Sequence, residues 1–185
     1  PKGTSARRPP RIPRRTLLRR AAWGLVVAAG AGLVGLVRTR GYGLPPGVTP
    51  VTLTAAEYDV LTAIARRICA PDRADAPSID EVGVVAFADS YIGKMHPAMQ
   101  RDLRQFFVYI EQLAPLRLGF ASRFTHLSPA EQDRVLGSIE ASDEGILRGG
   151  FDGLKSLVFM GYYRDARTWS IAGYGGPWLQ AGSDG

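Results

Sequence analysis

From Thr54 onward the apolar residues of this chain return every three or four positions, the spacing that gathers them on one face of an α-helix. Thr54 with Glu57 forms a capping-box signature ahead of Tyr58, Leu61, Ile64, Ala65 and Ile68, which predicts a helix that ends before Pro71. Ser78 and Glu81 repeat the signature and predict a second helix carrying Val82, Val85, Ala86 and Ile92. Pro97 suits a first helical turn, where its missing N–H costs nothing. Met99, Leu103, Phe106, Phe107, Ile110 and Leu113 follow it as the clearest amphipathic stripe of the chain. Ser128-Pro129-Ala130-Glu131 combines cap, N1 proline and N3 glutamate before Val135, Leu136 and Ile139. Phe151, Leu154, Leu157 and Val158 predict a further helix leading into an aromatic tail. Alternating strand patterns do not occur, so the expected fold class is all-α, a single domain of five or six helices.

Ahead of that body stands Arg14-Arg15-Thr16-Leu17-Leu18-Arg19, followed by an uncharged, mostly apolar run from Ala21 to Val37. The pair Arg14 and Arg15, the large apolar Leu17 and Leu18 and a further base before a hydrophobic stretch are the pattern of a twin-arginine export signal, whose route carries folded proteins. As a helix the run spans roughly 25 Å, near the lower limit for a bilayer core of about 30 Å, so the other reading is a membrane anchor. Gly24, Gly30, Gly32 and Gly35 leave it only mildly hydrophobic, which suits a signal better than a permanent span. Arg38 and Arg40 oppose the charge asymmetry of an ordinary anchor. Ala29-Gly30-Ala31 has the form of a cleavage site but lies early, and retention of the segment as an anchor stays open.

Charge divides the chain at the same place. The formal net charge is +6, yet all 17 acidic residues lie after Gly41 and ten of the 23 basic residues lie before it. Residues 41–185 hold thirteen basic against seventeen acidic residues, a net of about −4. The basic character belongs to the leader and gives no argument for a nucleic-acid partner. The chain is therefore read as signal or anchor over 1–40, linker over 41–50, helical domain over 51–178 and flexible tail over 179–185. The linker has three glycines and three prolines in its ten residues, a composition that holds neither a helix nor a central strand. The body after it is long enough to bury one core. The single cysteine, Cys69, excludes an internal disulfide, a CxxC redox pair and a CxxCH haem attachment site, and reads as a small buried residue or as a partner in an intermolecular disulfide.

Catalytic patterns are nearly absent. His96 and His126 stand thirty residues apart, each without a second histidine or cysteine at ligand spacing. His96 is expected at the start of a helix and His126 in a loop or beside a cap. Gly173-Tyr174-Gly175-Gly176 has neither the strand before it nor the helix after it that a phosphate loop needs. Asp80-Glu81 and Asp143-Glu144 fall at helix starts or turns, where acids complement exposed N–H groups. No catalytic, cofactor-binding or metal-ligating residue is expected. The dense signal is GYYRDARTWSIAGYGGPW, residues 161–178. Its aromatics and planar donors, Tyr162, Tyr163, Arg164, Arg167, Trp169, Tyr174 and Trp178, together with Pro177, have the composition of a protein interface, and two or three of the rings are expected to close the domain's own core.

Those motifs carry a resemblance. The twin-arginine leader, Leu53-Thr54-Ala55-Ala56-Glu57 with Ile68-Cys69-Ala70-Pro71-Asp72, and the tail from Gly161 to Trp178 resemble subunit 3 of FAD-dependent gluconate 2-dehydrogenase and related membrane-associated dehydrogenases. Cys69 and Ala70 stand where that pattern has apolar residues and proline. The resemblance implies a non-catalytic, cofactor-free partner of a large flavoprotein of the glucose-methanol-choline type. It further implies that this partner assists maturation of the large chain and escorts it through the twin-arginine translocase to the periplasmic side of the inner membrane. FAD, and any iron–sulfur or haem relay such as a cytochrome c subunit, would belong to other chains. A free-standing exported enzyme and a membrane-tethered structural module are the readings from other classes.

Overall fold

The computed structural model describes residues 41–69 and 76–175. Arg14, Arg15, Leu17 and Leu18, the apolar run behind them, Pro177, Trp178 and the tail from 179 lie outside the described residues. Within them the fold is all-α. Six helical rods follow one another: α1 (Ala55–Ile68), α2 (Ile79–Val82), α3 (Val84–Gly93), a continuous rod of α4 (Pro97–Val108), a π-helical segment (Tyr109–Leu113) and α5 (Ala114–Arg117), then α6 (Pro129–Glu140) and α7 (Gly145–Tyr163). Short 3-10 turns at Phe124–His126 and Ala166–Ala172 complete it.

The expected caps are formed. Thr54 Oγ1 accepts the Glu57 N–H at 3.3 Å while Glu57 Oε2 accepts the Thr54 N–H at 2.8 Å, and Ser78 and Glu81 do the same for α2. At α6 the Ser128 N–H and hydroxyl both donate to Glu131 Oε2, at 2.8 and 2.7 Å. His96 caps α4, its Nδ1 accepting the Ala98 N–H at 3.2 Å.

One helix boundary and two inward assignments are corrected. The helix predicted from Ser78 is two helices, because Gly83 adopts φ +72 and closes α2 in a left-handed turn that also starts α3. The new register buries Val84 and Ala88 and turns Ala86 to solvent. Met99, read as part of the α4 stripe, is 57% exposed in the first turn of that helix, ahead of where the rod meets the core.

The long α7 lies against α3, α6 and α1. Leu61, Ile64, Ile92, Phe107, Ile110, Val135, Ile139, Leu154 and Val158 are sealed from water between these rods. Each such side chain contributes about 1.5–3 kcal/mol by burial. Cys69 is buried beside them, and burial pushes its thiol pKa up to about 12. Arg67 on α1 clamps Asp133 on α6 with two parallel bonds of 2.7 Å.

Candidate partner surface at the end of the last helix

The last three turns of α7 divide their residues by helical position. Leu154, Leu157, Val158, Gly161 and Tyr162 face the core. Phe159, Met160 and Tyr163 fall on the opposite arc, 38%, 45% and 37% exposed. Gly161 is what lets α7 come this close to α3: a Cβ there would stand 3.1 Å from Phe87 Cδ1 and 3.2 Å from the Val84 carbonyl oxygen. Tyr162 donates its hydroxyl to the Pro77 carbonyl at 2.9 Å, which fixes the chain ahead of α2.

After α7 the chain folds back in a 3-10 turn. Thr168, with no exposure, holds it by donating its hydroxyl to the carbonyls of Asp165 at 2.7 Å and Tyr162 at 3.0 Å. Asp165 caps the turn by accepting the Arg167 N–H at 3.0 Å. The Arg167 guanidinium bonded to the Asp165 carboxylate, assisted by that backbone bond, lowers the carboxyl pKa to about 2. Trp169 donates its Nε1–H to the Tyr163 carbonyl at 2.8 Å and meets Tyr174 edge-on at 5.4 Å between ring centres. Tyr174 is 45% exposed.

The expected interface residues therefore separate into two groups. Tyr163, Trp169 and Tyr174 are brought to one place, with Tyr163 and Tyr174 open to solvent. Tyr162 is corrected to a core residue, 3% exposed and sealed by its bond to Pro77. Arg164 and Arg167 remain exposed at their surfaces but point back to the protein. Arg164 Nη2 donates to the Val82 carbonyl at 3.4 Å and its guanidinium lies 5.2 Å from the Phe87 ring centre. Arg167 Nη2 donates to the Glu81 carbonyl at 3.3 Å. These are end carbonyls of α2, which no intrahelical N–H can reach. Phe159 and Met160 are the members that sequence reasoning missed. Their signal was the unbroken apolar run from Leu157 to Met160, which covers more of the helix circumference than one core-facing stripe needs.

No group of three or more His, Cys, Asp or Glu placed to hold a metal ion occurs among the described residues. His126 Nε2 lies 2.6 Å from the Arg123 guanidinium, which can only donate, so the ring nitrogen is the acceptor. A cleft of about 240 Å³ lined by Tyr109, Ala114, Arg117, Leu118, Ser138 and Ser142 falls short of the roughly 300–1,000 Å³ usual for small-molecule sites.

The family model described as Gluconate 2-dehydrogenase subunit 3 matches residues 55–176. The chain belongs to this family. No curated protein and no solved structure matches it. The subunit 3 match starts on the first residue of α1 and takes in every helix of the described residues and the exposed rings of α7 and its 3-10 turn. Membership makes the chain a subunit of an oxidoreductase complex, and the subunit 3 domain is the helical body described above.

Proposed function

We propose that this chain is the non-catalytic small subunit of a membrane-associated, FAD-dependent dehydrogenase that oxidises sugars, polyols or alcohols at the periplasmic face of the inner membrane. In this reading it supports maturation of a large flavoprotein of the glucose-methanol-choline type. It then carries that partner through the twin-arginine translocase by the signal at Arg14 and Arg15. The flavin belongs to the large subunit, and any iron–sulfur or haem relay, including a cytochrome c subunit, to further chains.

The observation that carries the reading is the outward cluster of Phe159, Met160, Tyr163 and Tyr174 inside the family-matched span. Neighbouring large apolar side chains left open at the end of a long helix favour burial against another protein. Their aromatic content is that of residues which anchor interfaces. The test is co-expression with the large flavoprotein subunit. Losing an anchoring aromatic costs about 2 kcal/mol or more, roughly a thirtyfold fall in affinity. Phe159→Ala with Tyr163→Ala is expected to abolish co-purification while the helical circular dichroism persists. Arg14→Lys with Arg15→Lys is expected to strand both chains in the cytoplasm. Undiminished co-purification, or a partner that reaches the periplasm without the arginine pair, defeats the proposal.

A further inference from the structure

Residues 41–53 carry no helix or strand, yet both ends of this segment are gripped by buried charge. At one end the Tyr42 ring lies under the Arg123 guanidinium, 4.1 Å from its carbon to the ring centre. The Tyr42 hydroxyl donates to Glu111 Oε1 at 3.0 Å and accepts from Gln112 Nε2 at 3.3 Å, while Arg123 Nη2 donates to the Gly41 carbonyl at 3.1 Å. Leu44 and Val48 rest on the core between the two ends. At the other end the buried Asp89 carboxylate accepts three successive backbone N–H groups, from Val51 at 2.5 Å, Thr52 at 3.0 Å and Leu53 at 2.7 Å. Arg104 adds a bond from Nη2 to the Thr52 carbonyl at 3.1 Å.

The π segment explains why Glu111 is available. Tyr109, Ile110, Glu111 and Gln112 are all buried, four residues in succession. Successive residues of an α-helix turn by about 100°, so four in a row cannot share one face. The wider π turn, a form common at functional positions, brings Glu111 and Gln112 round together. Glu111 also accepts the Thr125 hydroxyl at 2.7 Å and the Thr125 N–H at 3.1 Å, and pairs with Arg123 at 3.5 Å. These partners belong to the domain, so Glu111 stays satisfied when the strap leaves. The groups of the strap itself, one phenol, two carbonyls and three N–H groups, are ones that water can serve.

We propose that residues 41–53 are a latch that closes on the finished domain, gripped by Glu111 and Arg123 at one end and Asp89 at the other, and that it fixes where residues 1–40 leave the fold. The proposal concerns the chain's own junction and stands apart from the assignment of a dehydrogenase partner. Its consequence is that anything upstream, signal or anchor, is presented from one place and direction. Residues 55–69 and 76–175 need not unfold for the latch to open.

Spin labels test this on the full chain with Cys69→Ala. Gly43→Cys and Gly137→Cys are suitable sites, because an added Cβ meets nothing within 4 Å at either. The unaltered latch is expected to give one narrow distance distribution by pulsed electron resonance. Tyr42→Ala, and separately Asp89→Asn, are expected to raise the share of long, scattered distances at least tenfold while amide exchange of Leu61, Ile139 and Leu154 stays slow. A broad distribution before any substitution overturns the proposal, as does a narrow one that survives both. Loss of core amide protection together with the strap also overturns it, since the segment is then part of the cooperative core.

Discussion

Adding one methyl group at Gly161 tests how closely α7 and α3 are packed. Helix propensity alone favours alanine over glycine by about 1 kcal/mol. Against this, the new Cβ would lie 3.1 Å from Phe87 Cδ1 and 3.2 Å from both Val84 Cγ1 and the Val84 carbonyl oxygen. Overpacking of this kind costs about 1–3 kcal/mol. Val84 is fully buried and its carbonyl is part of the α3 backbone, so two of the three contacts yield only if the helix moves. The upper part of the range therefore applies, and Gly161→Ala is expected to destabilise by about 1–2 kcal/mol net. For a domain of this size that lowers the melting temperature by roughly 3–8 °C. Gly153 on the same helix is the control, because nothing lies within 4 Å of the Cβ it would gain. Gly153→Ala then expresses propensity alone and is expected to stabilise by up to about 1 kcal/mol. Thermal melts followed by far-ultraviolet circular dichroism compare the two. Equal stabilisation by both substitutions would show that the α3–α7 approach is looser than described.

Tyr162→Phe removes the donor to the buried Pro77 carbonyl. A loss of about 1–3 kcal/mol is expected in urea melts with an unchanged slope, and a neutral result would mean that the carbonyl finds another donor. Asp165 titrates with a folded pKa near 2, below its ordinary value, because of Arg167. Its stabilising effect is therefore full above the unfolded carboxyl pKa of about 3.9 and fades as pH falls through the folded value. Asp165→Asn should separate from the parent chain at neutral pH and converge with it in acid melts, whereas a constant gap would exclude the ion pair as the cause.

Helix starts were legible in the sequence because capping is local. Thr54 with Glu57, Ser78 with Glu81, and Ser128 with Glu131 each bring donor and acceptor together within one turn, whatever the rest of the fold does. The division at Gly83 was marked only by a glycine inside an otherwise helical pattern, and the left-handed turn it permits shifts the register of everything up to Gly93. Charges in the core could not be found this way. Asp89 meets Val51, Thr52 and Leu53 across 36 to 38 positions, and Glu111 meets Tyr42 across 69, with no pattern in either segment naming the other. The candidate surface was half legible. Composition located the aromatic tail, but which rings turn outward depends on the helical phase set by Gly161, and the same composition concealed that both arginines serve the end of α2.

That arrangement has a bearing on the order of events during synthesis. A helix of four residues cannot hold itself together, since the cost of its first turn is not recovered by propagation. The Ser78–Glu81 cap and Arg66 on Asp80 are in place early, but Tyr162 at the entrance of α2 and Arg164 and Arg167 at its exit come late. Arg167 is made 86 positions after Glu81, which at about 5–20 residues per second is a delay on the order of ten seconds. Over that interval Ile79 and Val82 have no finished site to enter. The surroundings of α2 are thus complete only once residue 167 has been made.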